Sequence, residues 1–194
     1  YTAVDEAETA EGRAESWAVN ATGVAALSKV AAEHGIVLVH ISSDYVFDGR
    51  VEEHDEDEPF TPLGVYGQSK AAGDTVVGSL ARQYIVRTSW VIGEGKNSVR
   101  TMASLASRGI KPAVVNDQFG RLTFTADLAA GIKHLLAESA PYGTYNLSNT
   151  GNVASWAEIA ADVFELVGAD RDSVTGVATE EYFAGKPAAA RPRP

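Results

Sequence analysis

The strongest constraint on the fold is a strand–helix–strand pattern in the first half of the chain. Residues 36–41 form a short, nearly continuous apolar run rich in β-branched side chains, which is typical of a strand covered on both faces. The pattern over residues 65–82 predicts a helix, and residues 84–89 predict a second strand. A crossover helix between two strands makes a parallel pair with a right-handed connection. The sequence therefore predicts an α/β fold with a parallel sheet flanked by helices.

Composition narrows the class of protein and of partner. The 194 residues are 45% hydrophobic and 22% charged, which fits one domain or a domain with a small lobe. The net charge of −10 argues against a general binder of nucleic acid or of anionic membranes. No apolar run approaches the roughly 20 residues that span a bilayer. The chain has no cysteine, which excludes disulfides and thiolate metal sites and fits a cytoplasmic location.

A tyrosine and a lysine lie four residues apart at the start of the predicted helix. On a helix, Tyr66 and Lys70 share one face, and this face continues through Gly73 and Val77 toward the sheet. Burying an ammonium group is costly without a partner, so this placement needs a reason. A nearby cation favours phenolate, and we expect Lys70 to lower the pKa of Tyr66 and make it a proton donor near neutral pH. The same spacing also arises by chance. Whether the pair forms a catalytic site therefore depends on which other residues lie near it in the fold.

The ends of the predicted strands supply those neighbours. Ligands of open parallel sheets bind outside the carboxyl ends of the strands. Ser43 follows the first strand, Tyr66 begins the helix and Trp90 follows the second strand, so three segments meet at one edge. Asn20 lies on the apolar stripe of a helix predicted over residues 11–34; a structural role and a role in the site both stay open.

An acidic run, residues 52–58, lies between the first strand and the helix. A run of like charges is typical of a solvated loop, and we interpret it so. His54 within the run is a poor metal site, because one histidine among flexible carboxylates does not fix a coordination geometry.

A glycine-rich turn of the kind that binds a dinucleotide pyrophosphate is missing from the sequence. Such a turn normally follows the first strand of the sheet, where backbone amides approach the phosphates. Gly93 and Gly95 are too close together, and they follow the tyrosine and lysine instead of preceding them. The sequence therefore predicts a sheet without its first strands, either because the chain is a fragment or because the fold is a different one.

Several blocks, in order along the chain, match one family: residues 1–5, 19–23, 40–49, 62–70, 87–90 and 116–120. In these blocks the chain resembles the dTDP-4-dehydrorhamnose reductases, which are extended short-chain dehydrogenases/reductases, without their N-terminal part. The resemblance implies a Rossmann-like parallel sheet lacking its first strands, with a small C-terminal substrate-binding lobe. It assigns residues 1–92 and 125–147 to the dinucleotide-binding portion, and residues 93–124 and 148–194 to the lobe.

The activity implied by the resemblance is reduction of a 4-keto sugar. NADPH or NADH would reduce dTDP-6-deoxy-L-lyxo-4-hexulose to dTDP-L-rhamnose, and the protein could act as a homodimer. By position, Tyr66 is the proton donor, Lys70 lowers its pKa and holds the nicotinamide ribose, and Ser43 hydrogen-bonds the carbonyl oxygen.

Further site residues come from the same resemblance. Asp44 and Trp90 correspond to substrate contacts, and Tyr1 and Thr2 fall in a loop that touches the cofactor. The family's interface magnesium needs acidic residues after the helix predicted over residues 98–107; none follows, so we expect no metal. Two basic residues are candidates for the diphosphate: Arg121 and Arg191.

Two other functions stay open on the sequence. Another nucleotide-sugar epimerase, dehydratase or reductase of the same superfamily would share Ser43, Tyr66 and Lys70, since substrate choice depends on the lobe. A non-catalytic regulatory subunit would explain the missing glycine-rich turn, although it has no chemical need for an inward-facing lysine.

Overall fold

The structure, a computed structural model, describes residues 1–185 and 188–191. The remaining five positions, 186–187 and 192–194, belong to the predicted lobe and lie outside the described residues. The helices are α1 (Ala10–Trp17), α2 (Val24–His34), α3 (Val65–Gly78), α4 (Ser98–Ser107), α5 (Thr125–Ala137), α6 (Trp156–Leu166) and α7 (Thr179–Tyr182). The strands are β1 (Leu38–Ser43), β2 (Gln83–Thr88), β3 (Val91–Ile92), β4 (Ala113–Val115), β5 (Phe119–Gly120), β6 (Thr123–Phe124), β7 (Gly143–Asn146), β8 (Ala154–Ser155) and β9 (Thr175–Val177). Within the described residues, no helix is both long and apolar enough to cross a bilayer.

The central sheet has the strand order β1–β2–β7, and all three strands are parallel. The predicted parallel pair is confirmed, with Leu38 opposite Gln83 and Ser43 opposite Thr88. The first strand begins two residues later than predicted. Gly35 ends α2 with a φ of 61°, and the Ile36 amide donates back to Ala31, so Ile36 still belongs to the helix cap.

The long helix predicted over residues 11–34 is interrupted by a π turn, Ala18–Gly23. The buried Asn20 lies in this turn, and its carboxamide donates to Ser69 of α3 at 3.0 Å. The apolar pattern of this helix predicts an inward stripe of Asn20, Val24, Leu27 and Ala31. Three of the four are buried, but Leu27 is 61% exposed and Ser28 is buried instead.

Helix α3 approaches its neighbours closely because glycines lie at its contacts. A Cβ on Gly67 would lie 2.1 Å from the Tyr45 carbonyl oxygen, and one on Gly73 would lie 2.4 Å from the Asn20 carbonyl oxygen. Neither distance is compatible with a side chain unless the backbone moves. The two glycines therefore set the distance between the tyrosine-bearing helix and the elements beside it.

We expect Gly67→Ala to lower the free energy of unfolding by about 1–3 kcal/mol, because the added methyl group forces the backbones apart. The matched control is Gly78→Ala at the other end of α3, where the nearest atom is a side-chain carbon at 3.9 Å. That change should be neutral or stabilising by about 0.5–1 kcal/mol, since alanine restricts the unfolded chain more than glycine. Urea unfolding followed by circular dichroism measures both, and equal effects would contradict the close approach.

The second group of strands lies in the later part of the chain. Strands β4 and β9 pair in parallel, β5 and β8 pair antiparallel, and α4 packs on α6. Helix α6 begins with a capping box of Ser155 and Glu158: the serine hydroxyl accepts from the Glu158 amide, and the glutamate accepts from the Ser155 amide. This group contacts the carboxyl end of the central sheet at Trp90, as described below.

Candidate functional site

The end of β1 brings three of the expected site residues together. The Ser43 hydroxyl donates to Asp44 Oδ1 at 3.0 Å and accepts from the Tyr45 amide at 3.2 Å. It also hydrogen-bonds with the Tyr66 phenol, from the first turn of α3. A serine hydroxyl has one proton, and Asp44 already accepts it. The Ser43 hydroxyl therefore lies between the Asp44 carboxylate and the Tyr66 phenol.

Asp44 links the ends of two strands. Its Oδ1 accepts from Ser43 after β1, and its Oδ2 accepts from Ser89 after β2 at 2.6 Å. Burial raises the pKa of the Asp44 carboxyl group, and these hydroxyl bonds offset part of the rise. Ser89 was not singled out by the sequence analysis, although its place directly after a parallel strand was a usable signal.

The pKa of Tyr66 shifts in the direction opposite to the expected one. Burial raises it, the bond with Ser43 lowers it, and the negative charges of Asp44 and Asp74 raise it further. Lys70 is not among the groups that shift this pKa in the structure, and its expected lowering of the pKa stays a prediction. The Lys70 ammonium donates to the Ile41 carbonyl oxygen on β1 at 3.0 Å.

Lys70 is nevertheless partly buried on the inward face of α3, as expected. Burial lowers the pKa of its ammonium group, and the Asp74 carboxylate one turn further along α3 raises it. An ammonium has three N–H donors. The hydrogen bond to Ile41 uses one of them, so the group retains donors for a ligand.

Asp74 is the centre of a buried ionic cluster that the sequence analysis missed. Its Oδ2 accepts from Arg87 Nε on β2 at 3.0 Å. Its Oδ1 lies 3.3 Å from His40 Nε2 on β1, an approach that lacks hydrogen-bond alignment. The Asp74 side chain is fully buried and that of Arg87 is 5% exposed. The cluster fixes α3 against both strands whose ends carry the site.

Trp90 is held in a fixed position by residues far along the chain. Its backbone has a φ of 43°, which is rare for a residue with a side chain. Its indole stacks on Trp156, with ring centroids 3.8 Å apart and planes 19° from parallel. Gly120 lies against the same ring, since a Cβ there would be 2.9 Å from it. Trp156 was missed because only the tertiary fold brings α6 to this edge.

A cavity of about 380 Å³ lies beside these residues, at the carboxyl edge of the sheet. Asp44, Ser89 and Trp90 line it. Charged residues also line it: Glu52, Glu53, His54, Asp55, Arg87 and Arg121. The cavity therefore combines an aromatic surface, a cluster of hydroxyl groups and charges of both signs, which suits a polar ligand such as a sugar nucleotide.

The acidic loop forms a wall of this cavity, so its interpretation as a purely solvated loop was incomplete. The Glu56 carbonyl oxygen accepts from Arg87 at 2.9 Å, and its carboxylate accepts from the Asn146 amide at 3.0 Å. The Asn146 side chain donates to the His54 carbonyl oxygen at 2.7 Å. Most of the carboxylates stay exposed, but the loop backbone is fixed to β2 and to the end of β7.

The two N-terminal residues lie near Tyr66 and differ in their exposure to solvent. Tyr1 packs against the cluster of Ala7, Val65 and Tyr66, whereas Thr2 is exposed. The amino group of Tyr1 lies 3.4 Å from Asn20 Oδ1. The Asn20 amide nitrogen donates to the buried Ser69 hydroxyl at 3.0 Å and to the Tyr1 carbonyl oxygen at 3.5 Å, so the contacts favour a structural role for Asn20.

The two basic candidates for the diphosphate differ in availability. Arg121 lines the cavity and donates through Nε to the Gly151 carbonyl oxygen at 2.9 Å, which leaves the rest of its guanidinium for a ligand. Arg191 is paired with Asp5 at 2.7 Å and lies over the Phe183 ring beside a second cavity of about 330 Å³. In the described part of the chain, no three His, Asp or Glu side chains group as metal ligands, and the expected absence of a metal stays a prediction.

Comparison with known proteins gives concordant matches. A family model described as the RmlD substrate binding domain matches residues 1–194. The chain is 41% identical over 178 residues to the dTDP-4-dehydrorhamnose reductase of Streptomyces griseus, across 88% of this chain and 58% of that protein. It is 36% identical over 190 residues to the dTDP-4-keto-6-deoxy-D-glucose reductase of Streptomyces niveus, across 96% of this chain and 65% of that protein.

Among solved structures, the dTDP-4-dehydrorhamnose reductase of Bacillus anthracis in complex with NADP superposes with a TM-score of 0.90 at 41% identity. The superposition covers 100% of this chain and 67% of that one. The predicted Rossmann-like α/β fold and the family resemblance are both confirmed. The chain spans between 56% and 65% of the length of the curated relatives that it matches.

Proposed function

Because the chain belongs to the RmlD substrate-binding-domain family, we propose that the protein reduces the 4-keto group of dTDP-6-deoxy-L-lyxo-4-hexulose to give dTDP-L-rhamnose. NADPH or NADH is the reductant. The observation that carries the proposal is the hydrogen-bonded group of Tyr66, Ser43 and Asp44 beside a cavity sized for a sugar. A phenol poised on a hydroxyl at the carboxyl edge of a parallel sheet suits proton transfer to a carbonyl oxygen.

The donor groups present fit the nicotinamide end of such a cofactor. Lys70 has N–H donors beyond the one that bonds Ile41, and it lies one helical turn from Tyr66. An ammonium and a phenol side by side suit the two hydroxyl groups of a ribose. When bound, the reduced nicotinamide supplies the hydride that the carbonyl carbon accepts. Tyr1 and Thr2 stay proposed cofactor contacts of the same end.

Tyr66 is the proposed proton donor to the oxygen of the reacting carbonyl. Its raised pKa means that the phenol carries its proton at neutral pH, which is the state that a proton donor needs. On substrate binding the phenol donates its proton to the substrate oxygen. The Ser43 hydroxyl lies beside that oxygen and can stabilise the negative charge that develops on it.

The cavity accommodates the rest of the substrate. Trp90, held by its stack on Trp156, offers an apolar face to the sugar ring. Arg121 also lines the cavity and is the proposed partner of the diphosphate. Asp44 lines the same cavity as a proposed substrate neighbour, and the acidic loop restricts the space available to a larger ligand. Residues 93–124 and 148–194 form the proposed substrate-binding lobe.

A related substrate is the second candidate. The Streptomyces niveus relative is named for a different 4-keto-6-deoxy sugar, and the residues of the proton-donating site do not distinguish the two. An epimerase or dehydratase of the same fold would also use Ser43, Tyr66 and Lys70. The intact Tyr66–Ser43 pair weighs against a regulatory subunit without catalysis.

We expect the full-length protein to oxidise NADPH in the presence of dTDP-6-deoxy-L-lyxo-4-hexulose and to give a product heavier by two hydrogen atoms. Absorbance at 340 nm follows the cofactor, and mass spectrometry with NMR identifies the product stereochemistry. The control substrates are the UDP- and GDP-linked 4-keto sugars and the dTDP-linked D-xylo epimer. Preferential turnover of one of these, or isomerisation without net reduction, would replace the proposed reaction with the corresponding alternative.

Partners and location follow from the same proposal. The dTDP-sugar is the ligand, we propose no nucleic-acid partner, and a homodimer is the proposed assembly. The absence of cysteine fits the reducing cytoplasm, where we place the protein. Light scattering of the full-length protein measures the assembly directly.

A further inference from the structure

We propose that Glu8 is a positioning residue that fixes the start of α3 and thereby the proton donor Tyr66. The inference rests on the proposed function, because it concerns the phenol that donates to the substrate. Glu8 lies on a single turn of 3-10 helix, Glu6–Glu8, which is outside every block and motif that the sequence analysis singled out. It contacts Val65, the first residue of α3, which is 57 residues away in the chain.

The first turn of α3 takes its cap from a distant segment. The amides that begin a helix have no partner within it and need an acceptor from elsewhere. Gly64 precedes the helix and has no side chain, so it cannot supply the oxygen that serine or aspartate provides at this position. The Glu8 carboxylate supplies it instead, since its Oε1 accepts from the Val65 amide at 2.8 Å. The positive end of the helix dipole also favours a negative group here.

Gly64 leaves the space that this carboxylate occupies. A Cβ on residue 64 would lie 2.8 Å from Glu8 Oε1, which is too close for a carbon and an oxygen that are not bonded. The backbone of Gly64 has a φ of −125° and a ψ of 171°, which alanine adopts without strain. The position therefore requires glycine for the space and not for the backbone conformation. Gly64 and Glu8 are two parts of one contact.

The turn that carries Glu8 is itself held in place. The Glu8 amide donates to the Asp5 carbonyl oxygen at 3.2 Å, and the Thr9 amide donates to the Glu6 carbonyl oxygen at 2.9 Å. Helix α1 packs directly on the turn, since a Cβ on Gly12 would overlap the Glu6 carbonyl oxygen. A carboxylate on a fixed turn can define where a helix begins, whereas one on a flexible loop cannot.

The cap lies one residue from the proton donor. Tyr66 directly follows Val65 in the first turn of α3. Ala7, on the same turn as Glu8, is fully buried and packs with Val65 and Tyr66 in one apolar cluster. The Tyr66 ring lies edge-on to that of Tyr45, with centroids 5.6 Å apart and planes at 79°. A shift of the start of α3 therefore moves the phenol relative to the carbonyl oxygen that it must reach.

The first test is the kinetics of the full-length protein with the 4-keto sugar. We expect Glu8→Ala to lower kcat about 10- to 100-fold with KM changed much less, since misplacing a reacting group by about 1 Å costs up to 10²-fold. Glu8→Gln keeps an oxygen that can accept from the Val65 amide and should recover most of the loss. The matched control is Glu6→Gln, which removes an exposed carboxylate from the same turn and should keep the wild-type kcat. A loss confined to KM, or a Glu8→Gln variant no better than Glu8→Ala, would overturn the inference.

Gly64→Ala tests the same contact from its other side. The added methyl group displaces the Glu8 carboxylate from the Val65 amide, so kcat should fall by a factor similar to that of Glu8→Ala. In the Glu8→Ala background there is no carboxylate to displace, and the next nearest atoms, of Ala189 and Ala190, are at 3.5 Å or more. The second substitution should then lower kcat by no more than about twofold. Losses that multiply in the double variant would show two independent effects and contradict the shared contact.

Two measurements detect the cap and its effect on the tyrosine without turnover. Hydrogen exchange followed by NMR should show the Val65 amide exchanging about fivefold faster in Glu8→Ala and Gly64→Ala, the factor that a lost cap corresponds to, but not in Glu8→Gln. Tyrosine labelled with ¹³C gives a ring signal for Tyr66, assigned by its loss in Tyr66→Phe. The chemical shift of this signal depends on the adjacent Tyr45 ring and should move in the same two variants. An unchanged ring signal would overturn the inference, even if the amide exchanges faster.

These results separate the inference from the proposed function. If the wild-type protein reduces no sugar nucleotide, the proposed function fails, and the amide exchange and the ring signal still decide whether Glu8 positions Tyr66. If reduction proceeds and Glu8→Ala leaves kcat and the ring signal unchanged, the inference fails while the proposed function stands.

Discussion

Tyr66→Phe is expected to lower kcat for the 4-keto sugar by about 10²–10⁴-fold, the range for loss of a positioned proton donor. The substitution removes the phenol oxygen and its bond with Ser43 but leaves the ring, which packs against Ala7 and Val65. Binding of the sugar nucleotide should change little, because the phenol acts on the oxygen where charge develops. Steady-state kinetics of the full-length protein, with dissociation constants from calorimetry, separate the two effects.

The matched control is Tyr84→Phe. Tyr84 is also buried, and its hydroxyl donates to the Ala140 carbonyl oxygen at 2.6 Å, away from the cavity. That variant loses a phenol and one hydrogen bond but should keep its kcat. Turnover by Tyr66→Phe within a few fold of the wild type would remove the tyrosine from the mechanism. Equal losses in the two variants would indicate an effect on folding.

Asp74→Ala is expected to lower the free energy of unfolding by about 3–5 kcal/mol, the range for removing one partner of a buried ion pair. The carboxylate bonds Arg87 Nε at 3.0 Å, and the guanidinium also lies over the rings of Phe47 and Phe60. Without Asp74, the Arg87 charge is left in a site that is 5% exposed. Urea unfolding measures the loss, with the slope checked for two-state behaviour.

Two further variants make this prediction decisive. Asp74→Asn keeps the volume and one acceptor, so its loss should be smaller, and it supplies a measurement if the alanine variant does not fold. Asp162→Ala removes an exposed partner of Arg171, with a similar distance of 2.7 Å, and should not measurably shift the urea midpoint. Similar effects of Asp74→Ala and Asp162→Ala would show that burial of the cluster does not determine its contribution.

The local patterns of the sequence were sufficient for most elements. Helix α4 has the predicted bounds, because Asn97 caps its first turn and Gly109 lies just beyond its end. The parallel pairing of β1 and β2 followed from the crossover helix between them. The errors in the predicted elements came where a tertiary contact overrides the periodicity. In the π turn, the Asn20 carboxamide donates to the buried Ser69, and no local pattern encodes that partner.

The candidate site was also predictable from the sequence only in part. The placement of Ser43, Tyr66 and Trp90 at strand or helix ends was predictable, since the carboxyl edge of a parallel sheet collects such residues. The directions of their side chains were not. Lys70 bonds Ile41 on the neighbouring strand, and the effects that shift the Tyr66 pKa are those of burial, Ser43 and two carboxylates.

By itself, the sequence determined that this chain folds as helices on a parallel sheet and brings a tyrosine, a serine and a lysine to one edge. Those properties depend on hydrophobic period and on chain direction, which are local. Only the tertiary structure decided which hydroxyl donates to which acceptor, that Trp156 supports Trp90, and that Asp74 joins α3 to Arg87. Hydrogen bonds and buried charges depend on distances of a few ångströms between residues far apart in the chain, and only the packed fold sets those distances.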